Sequence, residues 1–83
     1  MNIVIMDSSA VRMNAKMVLE EGLFLVDPEK DQWCASYQYA KSFPSPNEAV
    51  EVAKKIAPTL AKMPRVFSIQ QNGPSINITE YKY

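Results

Sequence analysis

Ser45-Pro46-Asn47-Glu48 is the most constraining stretch of this chain, because it fixes where a helix begins and so limits what the rest can form. A serine at the N-cap accepts a hydrogen bond from an otherwise unpaired amide, and proline at the first helical position sacrifices none. Glu48, three residues after the cap, can complete a capping box. Ala49, Val52, Ala53, Ile56 and Leu60 then recur at helical spacing and form one apolar stripe. Glu51 is placed to pair with Lys55, while Lys54, Lys55 and Lys62 complement the negative end of the helix. The pattern predicts a helix over 45–62. Pro58 removes the amide that would bond the Lys54 carbonyl, so a kink there or a break near Ala57 is expected. Pro64 closes the segment.

An amphipathic helix needs an apolar surface to cover, and its flanks read as strands. Residues 23–26 are apolar, Asp27-Pro28-Glu29-Lys30-Asp31 reads as a turn, and residues 32–43 alternate. On that reading Trp33, Ala35, Tyr37, Tyr39 and Phe43 share one strand face, beneath the helix. Cys34, Ser36, Gln38, Ala40 and Ser42 share the other. After the helix, residues 66–70 and 75–81 surround Gln71-Asn72-Gly73-Pro74, in which Asn-Gly is a hairpin signal. Phe67, Ile69, Ile76 and Ile78 would meet in the core, although Val66 and Tyr81 blur the alternation.

Residues 2–6 make a further strand candidate, and residues 10–21 fit two templates. Ala10, Arg12, Met13, Ala15, Lys16, Met17 and Leu19 are good helix formers, with Asp7 or Ser8 as a cap and Gly22 as a terminator. Yet Val11, Met13, Ala15, Met17 and Leu19 alternate with polar residues, and the charge order opposes a helix. If helical, the chain is a split βαβ arrangement, β-α-β-β-α-β plus a C-terminal strand. If extended, it is a four-stranded meander, a helix and a C-terminal hairpin. Either way the class is α+β, a small antiparallel sheet packed against a helix. The split arrangement is preferred because a second helix would cover more of so small a sheet.

Composition narrows the chemistry. The 83 residues form one domain, and no apolar run reaches the roughly 18 residues that span a bilayer. The N-terminus lacks the basic start and cleavage site of a secretory signal, so a soluble cytoplasmic protein is expected. Histidine is absent, which removes Ser-His-Asp and Cys-His catalysis and the usual zinc sites. Gly22 and Gly73 are too far apart to build a phosphate cradle. Cys34, the lone cysteine, reads as an apolar filler or surface thiol. No catalytic residue, metal or cofactor is expected.

Two segments invite comparison with known sites. Ile3-Val4-Ile5-Met6-Asp7-Ser8-Ser9-Ala10-Val11-Arg12 is similar to the opening of a bacterial receiver domain, in which an acidic pair follows the first strand and helps bind magnesium. Here Asp7 is followed by Ser8, leaving one acid, and the chain is too short for the five βα units of that fold. Asp27-x-Glu29-x-Asp31 is like the opening of a calcium loop. Its sixth and twelfth positions are Gln32 and Gln38, however, where glycine and glutamate are required.

Net charge is zero, which gives no general attraction to nucleic acid. The charges are nevertheless uneven. Glu20, Glu21, Asp27, Glu29 and Asp31 crowd a stretch whose only cation is Lys30, and they could imitate a run of phosphates toward a basic groove on a partner. The uncharged strand face bearing Ser36 and Gln38, with Tyr81 and Tyr83 near the C-terminus, offers a contact surface, and a homodimer is one use of it. The expected function is a non-enzymatic protein-binding module that occupies a surface of a larger protein or nucleoprotein complex. In size and composition it resembles phage and mobile-element proteins that block host machinery, anti-CRISPR proteins included. One alternative is a nucleic-acid binder using Lys54, Lys55, Lys62 and Arg65, in a C-terminal third that also holds Lys82. Another is a small enzyme whose site forms on oligomerisation.

Overall fold

The computed structural model of the chain describes residues 2–7, 9, 11–16, 18–57 and 64–81. Strand β1 (Asn2–Asp7) is a short unbroken apolar run and is buried from Ile3 onward, the pattern of a strand covered on both faces. It pairs antiparallel with β6 (Pro64–Asn72), from Asn2↔Ile69 to Asp7↔Pro64. On its other side it meets β4 (Phe24–Asp27) at Met6↔Phe24. Strand β5 (Gln32–Cys34) extends β4, and β7 (Ser75–Tyr81) extends β6, giving a five-stranded antiparallel sheet in the order β5-β4-β1-β6-β7. Strands β2 (Arg12–Met13) and β3 (Leu19–Glu21) form a separate two-stranded hairpin.

The α+β class and antiparallel sheet agree with expectation, but the described residues between 11 and 21 form a hairpin where the preferred arrangement had a second helix. Asn14 explains part of this. Its side-chain oxygen accepts from the Lys16 and Val18 amides at 2.8 and 3.1 Å, so it organises a turn where a helix would need those amides for its own ladder. Val11, Met13 and Leu19 face inward, as alternation requires. Ser8, Ala10 and Met17 lie outside the described residues. The sheet is not a simple meander either, because the hairpin departs between β1 and β4 and the chain later returns to the opposite edge of β1.

Side chains alternate across the sheet into two clusters. Ile3, Ile5, Leu25, Phe43 and Val66 pack with Ala49, Ala53 and Ile56 of helix α1 (Pro46–Ile56). Val4, Met6, Phe24, Phe67, Ile69 and Ile78 face the other way, under Val11, Met13, Leu19, Tyr37, Ala40 and Ile76. Val66 and Tyr81, paired across β6 and β7, belong to the helix side, which resolves the irregular alternation there. The helix begins as expected, with the Ser45 hydroxyl accepting from the Glu48 amide at 3.3 Å. Ala57 is its C-cap, one residue before Pro58. Pro58, Leu60, Lys62, Lys82 and Tyr83 lie outside the described residues.

The aromatic strand expected over residues 32–43 stops at Cys34. A 3-10 turn (Tyr37–Tyr39) follows, closed by the Ala40 amide donating to the Tyr37 carbonyl at 3.0 Å. The Lys41 amide then donates to the Leu25 carbonyl, and the Phe43 amide to the Ile3 carbonyl, each at 2.8 Å. Residues 41–43 thus fill the gap where β4 and β1 diverge. The five residues of the proposed stripe are consequently dispersed. Trp33 and Phe43 stay beneath the helix, Tyr37 crosses to set its ring, tilted by 53°, 5.8 Å from that of Phe24, and Tyr39 is exposed. Both faces of the sheet are apolar, so each draws aromatic cover. The C-terminal hairpin turns on Gly73-Pro74, not Asn72-Gly73. Asn72 pairs with Ser75, Gly73 has φ +60°, and Pro74 holds the second position negative, the combination of a type II′ turn.

Candidate protein-binding groove

The β2–β3 hairpin lies over the sheet face opposite the helix. Met13 pairs with Leu19 within it, and Val18 bridges Asn77 of β7. Gly22 then carries the chain down to β4. A Cβ at this position would sit 2.4 Å from Met6 Cε, so glycine allows the backbone to pass close over the central strand. The Leu23 carbonyl fixes the approach by accepting from the Asp7 amide at 3.0 Å. Between hairpin and sheet this leaves a shallow groove of about 510 Å³ lined by Leu19, Glu20, Glu21, Gly22, Leu23, Ala35 and Ile76. Leucine, isoleucine, alanine and glycine line it beside the two glutamates.

Arg12 of β2 lies opposite Glu21 and reaches both carboxylates. Its Nε is 3.9 Å from Glu20 Oε2, and an Nη2 is 3.5 Å from Glu21 Oε1. All three side chains are about half exposed or more, so these long contacts are weak and screened by salt. Two carboxylates against one guanidinium leave the groove margin net negative.

The other acidic candidates are elsewhere. Asp27, Glu29 and Asp31 lie at the far end of β4, a strand whose 4 residues span about 13 Å. Asp27 accepts from the Glu29 amide at 3.0 Å, and Asp31, at φ 49°, accepts from the Trp33 indole at 2.6 Å. These carboxylates shape the β4–β5 turn, and the acidic stretch is two groups, not one. Ser36 is half-buried ahead of the 3-10 turn and Gln38 is exposed within it, so they do not share a strand edge. Cys34 is half-buried and accepts from the Ser36 amide at 3.4 Å. Tyr81 is half-buried against the helix-side cluster.

The basic candidates are divided as well. Lys54 and Lys55 are in the last turn of α1. Arg65 pairs in register with Met6, which puts it on the hairpin side of the sheet, where it meets Glu80 at 3.2 Å. Asp7 is buried at the end of β1 and accepts from both the amide and the hydroxyl of Ser9, at 3.1 and 2.7 Å. Two smaller depressions lie elsewhere among the described residues. One of about 420 Å³ runs between α1 and residues 41–44, with Lys41, Glu48, Glu51 and Lys55 around Phe43. The other, about 340 Å³, is lined by Asn2, Tyr37, Ile69, Gln70 and Gln71.

Glu20 and Glu21 stand out in the sequence by charge, whereas Leu19, Leu23, Ala35 and Ile76 beside them do not. Gly22 is the signal for this site, since a glycine inside an apolar pattern often marks close backbone approach. No protein-family model matches the chain, and no curated protein or solved structure matches it. Among the described residues no helix is long and apolar enough to cross a membrane.

Proposed function

We propose that this chain is a non-enzymatic protein-binding module that docks on a larger partner through the hairpin-side groove. The observation behind this reading is the meeting of an apolar floor, Leu19, Leu23, Ala35 and Ile76, with the carboxylates of Glu20 and Glu21 in one depression. Apolar area supplies the binding energy of an interface, while charge at its border sets orientation and partner choice. Occupying a basic surface of a host protein is an inhibitory mode, in keeping with the small phage and mobile-element inhibitors that the composition resembles. The nucleic-acid alternative fits less well, because Lys54 and Lys55 lie on the helix while Arg65 is across the sheet and paired with Glu80.

The test is affinity capture from host lysate with matched variants. Ala35 is exposed, so Ala35→Trp fills the groove without disturbing the core. A protein retained by the wild type should be lost with Ala35→Trp and kept with Ser42→Trp, an exposed position in the helix-side depression. Equal retention by both variants, or recovery of nucleic acid alone, would refute the reading.

A further inference from the structure

We infer that Asn72 is a site of spontaneous covalent modification, in which the backbone nitrogen of Gly73 attacks the Asn72 side-chain amide, and that Asn77 holds this reaction back. The inference is independent of the docking role proposed above. Asparagine is a chemically labile residue. Its lifetime depends on the residue that follows, whose amide nitrogen is the nucleophile. Glycine presents that nitrogen with no Cβ beside it. Asn72-Gly73 is the chain's one Asn-Gly pair, since Asn2, Asn14, Asn47 and Asn77 precede isoleucine, alanine, glutamate and isoleucine.

The fold leaves the pair accessible. Asn72 ends β6, Gly73 opens the turn, and both are exposed. The ladder closes on Asn72↔Ser75, outside the Gly73 amide. Once that amide gives its proton to solvent base, the Gly73 nitrogen bonds to Asn72 Cγ. The Cγ–Nδ2 bond breaks and, with the proton returned, ammonia leaves a succinimide ring. Water then opens the ring at either carbonyl. One product is aspartate, and the other is iso-aspartate, in which the chain runs through the former side chain. Asn77 opposes the first step. Its Oδ1 accepts from Asn72 Nδ2 at 3.2 Å, across the diagonal of the β6–β7 pair. This contact ties the Asn72 amide to β7 and must break before Cγ turns to Gly73. Conversion adds a carboxylate to a chain of net charge zero, and iso-aspartate lengthens the backbone one residue beyond the Gln71↔Ile76 pair.

The test is ageing of the purified full chain at mildly alkaline pH and physiological temperature. Charge separation and peptide mapping that distinguishes aspartate from iso-aspartate give the readout. Asn72 should convert before every other asparagine, with iso-aspartate among the products as the signature of the ring. Asn72→Gln, whose longer side chain closes a ring poorly, should remove the early acidic species. Asn77→Ala should speed conversion about two- to fivefold, the scale of one exposed hydrogen bond. Asn77→Asp, which keeps the acceptor oxygen, should restore the slow rate. Earlier conversion of another asparagine, or aspartate at position 72 without iso-aspartate, would overturn the modification site. An unchanged rate in Asn77→Ala, or equally fast conversion in Asn77→Asp, would overturn the role of Asn77.

Discussion

On its helix side the sheet is covered by 11 consecutive residues of α1, whose Ala49 and Ala53 are fully buried. On the opposite side the cover is a hairpin of short strands and a 3-10 turn, and its contributors Val11, Met13, Leu19 and Tyr37 are only half-buried. Both faces of the strands beneath carry buried apolar residues, and the two covers differ in how each satisfies its own backbone. A helix closes its hydrogen bonds internally and can be laid down as a unit. The hairpin relies on more than its own ladder: on the Asn14 side chain in its loop, the Val18–Asn77 bridge and the Leu23 carbonyl. The looser cover is also the one that leaves a groove.

Matched leucine truncations measure that contrast. Leu25 is fully buried on the helix side, and Leu25→Ala should cost about 3 kcal/mol in denaturant unfolding. Leu19→Ala, on the half-buried hairpin, should cost about half as much, roughly 1.5 kcal/mol. Equal losses would mean that the hairpin is as integral to the core as the helix. Gly22→Val, which forces atoms into the space of Met6 Cε, should cost about 2 kcal/mol. Adding Met6→Val removes the opposing atom, so the double variant should be more stable than the sum of the single losses implies. The smallest effect belongs to the helix cap. Ser45→Ala should cost about 1 kcal/mol, a fall in Tm of roughly 4–8 °C, and Ser45→Asp should restore it.

The same contrast explains what the sequence revealed. Ser45 and Pro46 act on neighbouring amides, so the helix start was legible from local residues. The β6–β7 hairpin was equally legible, although Gly73-Pro74 forms the turn that Asn72-Gly73 promised. Residues 32–43 misled because aromatic alternation shows that side chains point to opposite sides, not that the strand continues. Tyr37 found Phe24 on one face while Trp33 remained under the helix. The acidic stretch misled in a related way, since adjacency in sequence is no guide to adjacency in space when β4 runs between Glu21 and Asp27. Glu20 and Glu21 were visible as charges, but their apolar floor required Ala35 and Ile76, which only the folded chain brings to them.

The pairing of Asn2 with Ile69 has a further consequence, for the timing of biosynthesis. The middle strand is translated before its longest partner, which emerges only after the chain between them has been made. Distant closures of this kind slow folding, because chain entropy is lost before contacts repay it. Until β6 is made, Ile3, Val4, Ile5 and Met6 lack their longest pairing partner, and apolar strands left unpaired in this way are prone to aggregate.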